Sequence, residues 1–147
     1  MRARREIPRG HLLSFDFGRR RIGVAVGQAQ TGTATALETI ANGARPDWAA
    51  IARLVEEWRP ALFLVGLPLS EEGEETPMSA ESRAFGAQLS ERFDLPVQYF
   101  DERLTSQDAE RRFAGMRAHG RARRKDASRL DALAAKIILE NWLEADS

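Results

Sequence analysis

The sequence predicts an α/β domain built on one mixed sheet, with an antiparallel meander on one side and crossover-connected strands on the other. Three observations carry that prediction. Apolar runs at about 12–17, 22–28 and 33–40 follow one another across short turns at Gly18–Arg21 and Gln30–Gly32, which is the spacing of a meander. Ala61-Leu62-Phe63-Leu64-Val65-Gly66 is a continuous apolar run of strand length, the type buried in parallel sheets. Segments of helical period flank that run, giving the order β-β-β-α-β-α-β-α-α.

The first strand contains one acid, Asp16, within Leu12-Leu13-Ser14-Phe15-Asp16-Phe17-Gly18. Burying an unpaired carboxylate costs several kcal/mol, so such a residue usually holds a cation or a specific hydrogen bond. Gly18 admits close approach of backbone or ligand, and Arg19, Arg20 and Arg21 place positive charge beside the acid. Further along, Asp47 can cap a helix whose apolar positions are Trp48, Ile51, Leu54, Val55 and Trp58, ended by Arg59-Pro60. A polar loop, Ser70 to Thr76, precedes a helix from about Pro77 to Phe93 and a short strand at 97–100. Thr105 or Ser106 caps a third helix reaching about Phe113. Residues 115–126, with Gly115 and Gly120, read as a mobile loop, and a last helix runs from about Ser128 to Leu143. Residues 1–11 form a basic arm, and 12–147 a single domain.

A chain of 147 residues can bury a sizeable core, and 43% hydrophobic with 30% charged residues is an ordinary globular balance. No run approaches the roughly 20 apolar residues of a membrane span, and the N-terminus lacks the apolar segment of a secretory signal. Zero cysteines exclude disulfides and thiolate metal sites. A cytoplasmic location is the expectation. The net charge is zero, with 22 basic and 22 acidic residues, but the distribution is uneven. Acid gathers at Glu71, Glu72, Glu74 and Glu75. Base gathers in the arm, at Arg19–Arg21, and at Arg111, Arg112, Arg117, Arg121, Arg123, Arg124, Lys125 and Arg129. Local basic fields of this kind attract phosphates, although each cluster alone also fits a solvated surface.

Two further acidic positions stand out. Asp101-Glu102-Arg103 directly follows a strand, where open α/β sheets place ligand sites. Asp131, at 100° per residue, projects within about 20° of Ile138 and Trp142, so it faces the sheet or its rim. Each acid has a structural alternative: Asp16 paired with an arginine, Asp131 as a helix N-terminal charge, Asp101 and Glu102 as turn residues. Together they favour a site of oxygen ligands, which suits Mg²⁺ or Mn²⁺. Neither His11 nor His119 is placed like a catalytic-triad histidine.

The segments Asp16-Phe17-Gly18-Arg19-Arg20-Arg21-Ile22-Gly23-Val24-Ala25-Val26, Val65-Gly66-Leu67-Pro68 with Gly73, Asp101-Glu102-Arg103-Leu104-Thr105, and Leu130-Asp131-Ala132-Leu133-Ala134-Ala135 occur in one order. In that order the chain resembles the YqgF family, bacterial proteins named as pre-16S rRNA nucleases or Holliday-junction resolvases, over about residues 12 to 144. The resemblance implies a ribonuclease H-like fold with sheet order 3-2-1-4-5 and helices on both faces. It also implies a cytoplasmic role in maturing the 5′ end of 16S ribosomal RNA, with ribosome-assembly factors as partners. The family's acids fall on Asp16, Glu102 and Asp131. Two departures stand beside the match: Gly27-Gln28 replaces a frequent Ser-Asp, and Gly66-Leu67-Pro68 stands where many ribonuclease H-like nucleases carry a strand-four acid.

On this reading Asp16, Glu102 and Asp131 hold one or two Mg²⁺ or Mn²⁺ ions, which activate water for in-line attack on a phosphodiester. Arg20, Arg21 and Arg103 neutralise neighbouring phosphates, with pairing to Asp101 an alternative for Arg103. Arg121, Arg123, Arg124 and Lys125 hold the backbone of structured RNA or branched DNA. Few exposed aromatics are evident for stacking, so recognition by shape is expected, by a monomer or homodimer. Two rival readings fit the same residues. One is a phosphotransferase of the actin and sugar-kinase type, which needs a second domain that 147 residues cannot supply. The other is a non-catalytic binding module of ribosome assembly.

Overall fold

Alternation along the first strand, β1 (His11–Phe17), decides which residues meet which helices. Leu13 and Phe15 point to one face of the sheet and Leu12 and Ser14 to the other, so Asp16 shares the second face. The chain continues through β2 (Arg21–Gln28), β3 (Thr33–Ala41), α1 (Trp48–Trp58), β4 (Leu62–Leu67), α2 (Pro77–Phe93) and β5 (Val97–Asp101). A single 3₁₀ turn, Glu102–Leu104, follows, and the last helix is α3 (Arg124–Ala145). This computed structural model describes residues 10–104 and 124–145, with the side chains of 104 and 124–129 outside that description. The expected arm (1–9 of it), the helix at 105–113, the loop to 123, and with them Arg121 and Arg123, lie outside the described residues.

The sheet order is β3-β2-β1-β4-β5. β1, β2 and β3 pair antiparallel, and β1–β4 and β4–β5 pair parallel, as the meander and the apolar run predicted. Asp47 caps α1 by accepting from the Ala50 amide at 3.2 Å, and Arg59 closes the helix in the left-handed conformation. Thr76 and Ser79 form a reciprocal capping box at the start of α2, with Pro77 at the first helical position.

Helices cover both faces. Ile51 and Leu54 of α1 and Phe85 and Leu89 of α2 pack with Leu13, Phe15, Phe63 and Val65. Ile138, Leu139 and Trp142 of α3 pack with Leu12, Leu62 and Leu64 on the other face. α3 lies unusually close to β2 because Gly23 faces it, and a Cβ there would overlap the Asp131 carbonyl. Buried Ser14 fastens the same helix by donating to the Ala135 carbonyl at 2.9 Å.

One boundary differs from the expectation. α3 starts at Arg124, not about Ser128, so Arg124 and Lys125 belong to its first turn and not to a loop. After Gly120 the sequence contains no helix breaker, and Arg, Lys and Ala are good helix formers. Charge density alone was a poor guide to loop structure there.

Candidate active site

Three elements bring the predicted acids to one end of the sheet. Asp16 is the penultimate residue of β1, Glu102 directly follows β5, and Asp131 lies in the second turn of α3. All three retain some accessible surface, so the cluster opens to solvent at the rim while protein crowds Asp16 from below.

The Asp16 and Glu102 carboxyl groups lie within hydrogen-bonding reach of each other, a contact that a proton between them would satisfy. Burial raises the Asp16 pKa well above the ordinary carboxylate value, and the charges of Glu102 and Asp131 push in the same direction. Glu102 is also raised, first by burial and then by the Asp101 charge, against the lowering effect of its hydrogen bond to Asp16. The pair titrates as a unit.

Gly66 explains how Glu102 reaches this position. A Cβ at Gly66 would lie 2.9 Å from Glu102 Oε1 and 2.6 Å from Ile138 Cδ1. The missing side chain therefore seats the Glu102 carboxylate over the end of β4. The strand-four acid absent from the sequence is replaced in space by an acid arriving from β5.

Asp131 is engaged differently. Its Oδ2 accepts from Arg21 Nε at 2.7 Å, in an ion pair with side chains 42% and 27% exposed for Arg21 and Asp131. Among the described residues no set of three Asp, Glu or His side chains is arranged to hold a metal ion. The carboxylate pair and Asp131 are thus neighbours, with Arg21 supplying the positive charge that Asp131 faces.

The remaining arginines divide. Arg20 is exposed at the turn. Arg19 pairs with Glu81 of α2 at 2.9 Å. Arg103 binds Asp101 through Nε (3.0 Å) and Nη2 (2.6 Å), and its Nη1 donates to the Glu71 carbonyl at 3.2 Å. That pairing, the alternative in the sequence reading, lowers the Asp101 pKa chiefly through the Arg103 hydrogen bond.

Sequence reasoning missed Asn42. Its Nδ2 donates to the Gly18 carbonyl at 2.7 Å and its amide to the Arg20 carbonyl at 2.9 Å, pinning the arginine turn. Its position just after a strand was visible, but its partner 24 residues away was not.

The chain matches the family profile RuvX, described as Holliday junction resolvase, over residues 10–145. A protein named "Putative pre-16S rRNA nuclease" from Xanthomonas euvesicatoria pv. vesicatoria is 50% identical over 141 residues, covering 94% of this chain and 90% of that one. One of the same name from Xanthomonas campestris pv. campestris is 49% identical with the same coverage. Thermus thermophilus RuvC in complex with a Holliday junction shares the fold at a TM-score of 0.58 and 17% identity, covering 92% of this chain and 94% of that one. The sheet order and this likeness make the fold ribonuclease H-like. No helix among the described residues is long and apolar enough to cross a membrane. The chain belongs to the RuvX family of nucleases, the YqgF family to which its motifs point.

Proposed function

We propose that the protein is a divalent-metal-dependent nuclease that hydrolyses phosphodiester bonds of structured nucleic acid, with 5′-end processing of pre-16S rRNA in the cytoplasm as its task. The observation that carries this reading is the buried Asp16–Glu102 pair beside Asp131. The names of the relatives support RNA as the substrate, and the family description supports branched DNA as the alternative.

The donor set fits a hard cation. Two carboxylates that must share a proton to coexist would rather share a metal, and oxygen ligands select Mg²⁺ or Mn²⁺. Asp16 and Glu102 would hold it, and Asp131, which pairs with Arg21, would be the third carboxylate beside it. A cation bound there supplies an activated water and stabilises the leaving oxygen. Loading would require the Asp16–Glu102 pair to give up its proton, and Gly66 leaves the space that seats the Glu102 carboxylate. Arg20 and Arg21 hold the phosphates flanking the cleaved bond, a task suited to the guanidinium fork. Arg103 reaches phosphate only by leaving Asp101, so its part is secondary. Arg124 and Lys125, with Arg121 and Arg123, bind backbone further along the substrate.

The test is cleavage of a structured pre-16S RNA fragment and of a four-way DNA junction with Mg²⁺ or Mn²⁺, beside the Asp16→Asn protein. Cleavage of the RNA that vanishes in Asp16→Asn is the expected result. Cleavage of the junction alone would transfer the activity to branched DNA, and full activity in Asp16→Asn would remove the site.

A further inference from the structure

The β3–α1 loop, residues 42–47, forms a rib between two cavities on the α1/α2 face. β3 ends where Ala41 pairs with Arg21, so this rib stands at the same end of the sheet as the acids. One cavity, of about 380 Å³, opens between the rib and α2 and is lined by Phe17, Arg19, Asn42, Arg45, Phe85 and Gln88 among others. The second, of about 670 Å³, opens on the other side of the rib, toward Trp48 and Arg92. Both volumes lie in the range of small-molecule sites.

The rib is pre-formed. Asn42 bridges to Pro46 across the loop, the Asp47 amide donates to the Ala41 carbonyl at 3.1 Å, and Asn42 fastens the whole to the Gly18 turn. The first cavity combines three features that suit one ligand class. Its floor is aromatic: Phe17 meets Phe85 at 5.0 Å between centroids, and Phe85 stacks on Trp48 at 5.7 Å. Its rim carries exposed Arg45 beside the Arg19–Glu81 ion pair, whose nitrogen and oxygen lie 2.9 Å apart. The Gln88 amide adds hydrogen-bonding capacity on the α2 wall.

We infer that this groove takes an unpaired nucleotide of the substrate, its base against the Phe17 side and its phosphate at Arg45. The inference rests on the nuclease reading and adds to it a determinant of substrate choice. Asp16 and Phe17 are adjacent, with Cα atoms about 3.8 Å apart, and their side chains leave the sheet on opposite faces. A strand with one phosphate at the acids would cross the Gly18–Arg20 turn to reach the groove at the same end of the sheet. A base held in a duplex cannot enter, whereas one at a bulge, branch or frayed end enters without breaking a pair. Shape recognition is thereby joined by stacking, which the sequence reading did not expect.

The experiment measures binding by the Asp16→Asn protein in EDTA at one fixed salt concentration, so that cleavage plays no part. The probes are two duplexes of equal length, one carrying a single unpaired 2-aminopurine and one fully paired. The unpaired probe should bind about tenfold tighter, the order expected when a base gains an aromatic stack, and its fluorescence should change on binding. Ala84→Phe on the α2 wall fills the groove and should bring the two affinities to within about twofold. Arg45→Glu on the exposed rib does the same by charge and serves should Ala84→Phe fail to fold. Equal affinities for the two probes, or an unchanged ratio in a folded groove variant, would overturn the inference. Loss of cleavage in Asp16→Asn with a ratio of one refutes the groove alone. Retained cleavage with a high ratio refutes the carboxylate site alone.

Discussion

Asp101 and Glu102 are neighbours in sequence on opposite faces of the sheet end, and their chemistry diverges accordingly. Asp101 shares the α2 side with Tyr99, where Arg103 grips it bidentately and holds its pKa down. Glu102 follows Phe100 on the α3 side, where it meets a second buried carboxyl and its pKa rises. One residue of alternation separates an acid gripped by an arginine from an acid facing a second carboxyl. The Asp101–Arg103 pair ties the Ser70–Glu75 loop to β5, through the bond from Arg103 to the Glu71 carbonyl.

Breaking the functional side of this comparison gives the largest effect. Asp16→Asn should abolish metal-dependent cleavage while relieving carboxylate repulsion in the metal-free protein. Its unfolding midpoint without metal should rise by about 2–4 °C, the shift expected of one kcal/mol in a chain of this size. A scanning calorimeter checks this, and a lowered midpoint would show that the pair stabilises the fold. Gly66→Ala comes next. Its methyl would press on Glu102 Oε1 and Ile138 Cδ1, costing about 1–3 kcal/mol by overpacking. Metal affinity should weaken in the same variant, measured by Mn²⁺ titration of folded protein. An unaltered affinity would mean that Glu102 does not depend on its seat.

The same contrast fixes opposite responses to pH. Asp16 and Glu102 have raised pKa values, so their contribution to stability is full below the ordinary carboxylate range and is lost as pH rises through the raised values. Asp101 is lowered, so its contribution is present above the ordinary value and is lost as pH falls through the depressed one. Asp16→Asn should remove the first dependence, and Asp101→Asn the second, in denaturation profiles followed from pH 3 to 8. The smallest effect belongs to Asp101→Asn at neutral pH. Stability should fall by no more than one exposed ion pair contributes, and cleavage should persist. Loss of cleavage there would move Asp101 into the site.

Much of this was legible in the sequence because it rests on local pattern. The meander showed in three short runs and their turns, the central parallel strand in an unbroken apolar run, and Asp16 in the cost of a carboxylate among Leu, Phe and Ser. Asp131 was placed toward the sheet by helical angle alone. What escaped depends on distant partners. Arg21 and Asp131 are 110 residues apart, and no periodicity announces their ion pair. Gly66-Leu67-Pro68 left the strand-five region to supply the second carboxylate, but that the space over Gly66 seats Glu102, 36 positions later, was not legible. The start of α3 was obscured because a basic run fits a loop and a helix equally well.

The central claim is that the proton shared by Asp16 and Glu102 holds the place of a divalent cation. Calorimetric titration with Mn²⁺ at near-neutral pH, in two buffers of different ionisation enthalpy, measures this directly. Binding should release protons in the native protein, because the metal displaces them from the pair, and binding should vanish in Asp16→Asn. Equal Mn²⁺ affinity in the two proteins, or binding without proton release, would contradict it.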